Sequence, residues 1–126
     1  MAASTSDDAA PGAAAGGSPP PPRWPRTPRL TELPPELHWR EFALRRDGMI
    51  HAMDGGLWLH RHVWKGERMA HLVSTDRARL LTFGRAIDMP LERLQYKPLK
   101  DPRTGERREA WHWDLVRHVV PPRDDG

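Results

Sequence analysis

The first 36 residues hold almost nothing that can enter a core, and this limits what the rest can build. They pass from Ala9 through Gly17 into Ser18 and four consecutive prolines, Pro19 to Pro22. Such a tract has no large apolar side chains to offset the roughly 1–2 kcal/mol per residue of backbone entropy that ordering costs. It is expected to be a disordered arm and linker, stiffened toward polyproline II where prolines cluster. About 80 to 90 of the chain's residues then remain for a single domain, a size whose core supplies only a few kcal/mol.

Composition removes several chemistries. The chain has no cysteine, which excludes disulfides, thiolate metal ligands and a cysteine nucleophile. No apolar run approaches the roughly 20 residues of a membrane span. The N-terminus lacks the basic and apolar regions of a secretory signal, so a cytoplasmic protein without a membrane partner is expected. The net charge is +3, with six basic against six acidic side chains through Gly48 and fourteen against eleven after it. A mildly basic domain suits a small anionic ligand. It does not specify nucleic acid.

Glu36 to Arg46 reads as a short helix started by Pro35, so that segment 37–48 is expected to hold a short helix ahead of the domain. Met49 to Asp54 reads as a short strand stopped by Gly55 and Gly56. Leu57 to Lys65 is a strand or an ordered loop, with Leu57, Leu59 and Arg61 on one side and Trp58, His60, His62 and Trp64 on the other. Met69 to Val73 is a strand. From Asp76 to Ile87, Leu80, Phe83, Gly84 and Ile87 fall at helical spacing, widened by Leu81 and Ala78. Ser74 or Thr75 would cap this helix, and Pro90 ends it.

Two further strands cover Arg93 to Lys97 and Ala110 to Val116. The turn residues Asp101-Pro102 and Thr104-Gly105 join them into a hairpin that sets Gln95 opposite His112. Strand, helix and strand from Met69 to Lys97 form a βαβ unit, whose crossover should be right-handed. The expected fold is α/β: a small mixed sheet of three to four strands with one main helix. It occupies residues 49–120, with an unstructured tail over 121–126.

From Met49 onward the sequence carries a set of spaced motifs. They are MIHAMD ending at Asp54, then Trp64, Met69, His71 and Leu72, then Ser74 and Asp76. Leu80 and Phe83 follow in the helix, then QYKP from Gln95 to Pro98, then HWDL from His112 to Leu115. In this combination, over about residues 49–116, the chain resembles the domain-of-unknown-function family numbered 4031, small bacterial and phage proteins. The resemblance implies a small α/β fold and no particular activity. Three departures stand out: Asp88 replaces an expected glycine after the helix, the loop before His112 is longer, and a second helix after Leu115 is missing. The missing helix would leave part of the sheet uncovered and favour an oligomer or a protein partner. Because relatives tend to begin at the first strand, Met49 is expected to be the translation start, or residues 1–48 a dispensable extension.

The polar residues of these motifs are where chemistry is expected. His112 and Asp114 are two apart on a strand and share one face, with Trp111 and Trp113 on the other. Gln95 and Lys97 are likewise two apart, and His71 comes from a neighbouring strand. Two imidazoles and a carboxylate suffice to hold Zn²⁺, Fe²⁺ or Mn²⁺ with positions left open. In this reading His71, His112 and Asp114 are metal ligands, Gln95 is an orienting group, Lys97 steadies an anion, and Asp54 is a base or a further ligand. Without a metal, His112 would be a general acid/base, and backbone N–H groups from Ser74 to Arg77 would bind phosphate.

Other readings stay open. Gln95-Tyr96-Lys97 with Asp88 resembles a restriction-type nuclease strand, and His60 and His62 could bind a metal or stack on a base. A non-enzymatic interaction module would use Trp58 and Trp64 as anchors. A nucleic-acid binder would use Arg77, Arg79, Arg103, Arg107 and Arg108. The sequence has no P-loop, dinucleotide fingerprint or nucleophilic-serine elbow.

Overall fold

The strongest helical stripe and the longest alternating stretches of the sequence together build the centre of the molecule. The computed structural model describes residues 24–123. In chain order its elements are β1 (Trp39–Arg40), α1 (Arg45–Met53), β2 (Leu57–Trp64), β3 (Glu67–Ser74) and α2 (Arg77–Ala86). They continue with β4 (Gln95–Tyr96), β5 (Leu99–Lys100), β6 (Arg107–Arg108) and β7 (Trp111–Val116). Five strands form a mixed sheet in the order β1-β2-β3-β7-β4, and β5 and β6 form a separate two-stranded ribbon. The α/β class is the expected one, with a sheet one strand wider than its upper limit.

β2 and β3 are an antiparallel hairpin, turned by Lys65 and Gly66 at positive φ, which suits the twist of the flanking strands. β7 is antiparallel to both β3 and β4. β3 and β4 therefore run parallel, as a strand–helix–strand unit requires, but β7 lies between them. Gln95 sits opposite His112, the register the turn residues predict.

α2 covers one face of the sheet. Its N-cap is Asp76, whose side chain accepts a hydrogen bond from the Arg79 N–H at 2.9 Å. The expected cap, Ser74, accepts instead from the Asp76 N–H, and Thr75 donates to the Ala52 carbonyl. Leu80, Phe83, Gly84 and Ile87 are buried as one stripe, whereas Ala78 is exposed. Each large apolar side chain in that stripe contributes about 1.5–3 kcal/mol by leaving water. Trp113 lies beneath the helix, fully buried, and donates its indole N–H to the Leu80 carbonyl at 2.8 Å. A glycine costs a helix about 1 kcal/mol relative to alanine. Gly84 is kept because a Cβ there would lie 2.4 Å from the Trp113 ring. Asp88, at the expected glycine position, adopts a left-handed φ of 61°.

Several expectations before residue 57 are corrected. The segment 37–48 is not one helix: a 3-10 turn at Pro35–Leu37 leads into β1, and Leu37 and Trp39 enter the core at strand spacing. Met49 to Asp54 is not a strand but the second half of α1, with Gly48 and Ala52 buried four residues apart. Gly48 packs on Trp58, where a Cβ would lie 2.1 Å from the indole. Residues 37–48 thus belong to the fold, with Leu37, Trp39 and Gly48 buried in it. The linker also ends earlier than residue 36, since Pro28 is fully buried and Leu30 and Leu33 pack on the core. Pro121 is fully buried too, which shortens the expected tail. The arm through residue 23 and residues 124–126 lie outside the described residues.

α1 lies on the second face of the sheet and covers it only in part. With Phe42, Met49 and Leu99 it covers Trp58 and Val73, at one end of the sheet's second face. The middle of that face is polar, and Trp64, Met69 and Val116 follow toward its far end.

Candidate metal centre

Strand alternation decides what the second face presents. Trp58, His60 and His62 of β2 pair with Val73, His71 and Met69 of β3, so all six point the same way. Across β3 and β7, His71 pairs with Asp114 and Val73 with His112. Four imidazoles therefore form a band. The ring centroids of His60 and His62 are 6.3 Å apart, those of His62 and His71 4.6 Å, and those of His71 and His112 4.8 Å.

Asp114 stands at the end of this band between two imidazoles. Its Oδ1 lies 3.0 Å from His71 Nε2 and 3.2 Å from His112 Nε2. That oxygen is buried yet has no partner in hydrogen-bond geometry, although ring nitrogens lie within contact distance. The proximity is real and the direction of a hydrogen bond is missing. The other oxygen, Oδ2, accepts from the Gln95 amide at 2.7 Å, which fixes the carboxylate plane. One ligand atom each from His71, His112 and Asp114 lie within 4.8 Å of one another. The side chains of His71 and Asp114 are 33% and 35% exposed and that of His112 is 9% exposed, so the group is held from below and open above.

Burial first, and neighbouring charges after it, favour the neutral form of His60, His71 and His112. Burial, and next the adjacent His112, push His71 down to about 4 against the opposing pull of Asp114. Burial also lowers His112, with Asp114 opposing and Lys97 adding to the shift. His60 is lowered by burial and then by Arg45. Neutral imidazoles carry the lone pair that a metal ion requires.

Beside the group is a cavity of about 60 Å³. His60, His71 and His112 form one side of it, Trp58, Val73 and Leu99 are apolar walls, and Arg45 and Lys97 stand at its rim. A larger cavity of about 570 Å³ lies at the far end of the β2–β3 hairpin, among Arg61, Val63, Arg68 and Pro122, and contains none of the three ligand candidates.

The structure brings together five of the expected site residues: His71, Gln95, Lys97, His112 and Asp114. Two others lie elsewhere. Asp54 follows α1 and pairs with Arg103 at 3.0 Å, outside the group formed by His71, His112 and Asp114. Ser74 is fully buried and its hydroxyl holds the Asp76 N–H. That bond and the one from Thr75 N–H to Ala52 occupy two of the amides expected to bind phosphate, and the Arg79 N–H just beyond them is held by Asp76. His60 and His62 sit on a strand, not a loop.

The alternative sites are changed as well. Asp88 is paired with Arg26 at 3.1 Å and lines no cavity with Lys97. Trp58 is buried beneath α1 and cannot anchor a partner, whereas Trp64 is 61% exposed. Arg79 is tied to Gly55 and Arg103 to Asp54 and Asp101, which breaks up the proposed basic set. Arg45, Val73 and Leu99 were not among the expected site residues; only the β2 alternation of Trp58 with His60 hinted at this end of the face. No family model, curated protein or solved structure matches this chain.

Proposed function

We propose that His71, His112 and Asp114 bind one divalent transition-metal ion, Zn²⁺, Fe²⁺ or Mn²⁺, in a site that takes a small ligand on its open side. The observation that carries this reading is the buried Asp114 Oδ1, 3.0 and 3.2 Å from the Nε2 atoms of two imidazoles and poorly aligned for a hydrogen bond with either. Ligand atoms about 2.0–2.2 Å from one ion in a tetrahedral site are about 3.3 to 3.6 Å apart. The two contacts onto Asp114 Oδ1 are a few tenths of an ångström shorter than that, and the three ligand atoms lie within 4.8 Å of one another, so small side-chain shifts would gather them around one ion.

Two imidazoles and one carboxylate suit intermediate metals, and three protein ligands leave positions for water and substrate. When bound, the ion supplies Lewis acidity and lowers the pKa of coordinated water. The chain's part is to fix the ligands. β3 and β7 hold the imidazoles in register, Gln95 orients Asp114, and burial keeps both rings unprotonated. Membership of the family numbered 4031 is a separate proposal, resting on the motif residues alone, and it lends no activity to this one.

Metal analysis of the purified full chain tests the reading, alongside thermal melting with Zn²⁺, Mn²⁺ and Fe²⁺. An ion present at 100 times its dissociation constant stabilises the folded state by about 2.7 kcal/mol. The His71→Ala/His112→Ala double variant should lose that gain while still folding. No bound metal, and no rise in melting temperature with any of the three ions, would remove the proposal.

A further inference from the structure

The cavity beside the metal ligands has a charge and a shape that narrow its occupant. Arg45 and Lys97 are permanent cations at its rim, and no carboxylate lines it. Arg45 is held in place with its guanidinium 5.7 Å from the Trp58 ring centroid. A cationic ligand would be repelled there. The walls are Trp58, Val73 and Leu99, and Trp58 is stacked on His60 with centroids 5.1 Å apart. Apolar walls next to two cations suit an organic anion better than an inorganic one, because they leave hydrated oxygens unpartnered.

Geometry points the same way. A flat carboxylate accepts paired hydrogen bonds from a guanidinium, and Arg45 presents one at the cavity beside the apolar Val73 and Leu99.

We infer that the open side of the metal site takes the carboxylate of a small organic acid, its charge held by Arg45 and Lys97 and its short apolar part against Val73 and Leu99. This rests on the metal reading above, since His71 and His112 form the cavity's inner side.

Propionate and inorganic phosphate, titrated separately into the cobalt(II)-saturated full chain, test the inference, with the visible spectrum of cobalt as the readout. Propionate should perturb the spectrum and phosphate should not. Arg45→Met and Lys97→Met, at cobalt saturation, should each weaken propionate by about tenfold, the loss of one charge-assisted contact. Cobalt that binds but ignores propionate, or that prefers phosphate, overturns the carboxylate assignment and leaves the metal site standing. Failure of cobalt to bind overturns both.

Discussion

The two faces of the sheet receive one helix each, and each helix sets a glycine on a tryptophan. Gly84 of α2 meets Trp113, and Gly48 of α1 meets Trp58. The outcomes differ because the helices cover different lengths of sheet. α2 carries a full apolar stripe over Leu59, Leu72, Trp113 and Leu115, all of them buried. α1 covers Trp58 and Val73 and stops, leaving His60, His62, His71 and Asp114 partly open. One face is a core that keeps the chain folded. The other is half-covered, and there polar side chains can be held rigidly and still reach solvent. A site of this kind needs both conditions, and the unequal cover supplies them.

The comparison can be broken most sharply on the dry side. Trp113→Ala removes a fully buried indole and its bond to Leu80, and should cost about 3–5 kcal/mol. Urea unfolding measures it. A cost below about 1 kcal/mol would mean that α2 does not sit where its stripe is buried. Gln95→Leu, on the wet side, should separate stability from binding. It frees the Asp114 carboxylate, so metal affinity should fall 10- to 100-fold, as when a group supporting a metal ligand is lost. Gln95 is exposed, so metal-free stability should change within about 0.5 kcal/mol. Equal loss of both would assign Gln95 to folding alone.

A further effect is electrostatic and centres on the wet face, with His51 of α1 shifted in the same direction by burial. His71 is lowered from 6.5 to about 4 in the folded chain, so folding prefers the neutral ring. Its contribution is complete above pH 6.5 and is lost as pH falls from 6.5 through 4. His112 shifts in the same direction. In chelator, the melting temperature should decline across that window, and His71→Asn should flatten the decline. A melting temperature that rises on acidification over the same range would contradict the neutral-imidazole assignment.

What could be read from the sequence followed the same division. α2 was legible because Leu80, Phe83, Gly84 and Ile87 share one stripe, although the cap fell to Asp76 and not to Ser74 or Thr75. His71, His112, Asp114 and Gln95 were legible because strand alternation and one turn fix their side and register. α1 was not, because a window opening at Met49 starts in the middle of the helix and Gly48 weakens its signal. Leu37 and Trp39 were missed because only two residues of alternation mark β1. Asp54 and Ser74 were misplaced for a different reason. Their roles depend on Arg103 and on the Asp76 amide, partners set by tertiary folding. Arg45 and Leu99 reach the cavity from segments far apart in the chain, where no local pattern connects them.

The most direct measurement is the proton NMR spectrum of the cobalt(II)-substituted full chain, in which ring protons of coordinated imidazoles are displaced far outside the ordinary range. Two imidazole sets are predicted, with the set of His71 lost in His71→Ala and that of His112 in His112→Ala. No displaced signals at all, or signals that vanish only when His60 or His62 is replaced, would contradict a centre built on His71, His112 and Asp114.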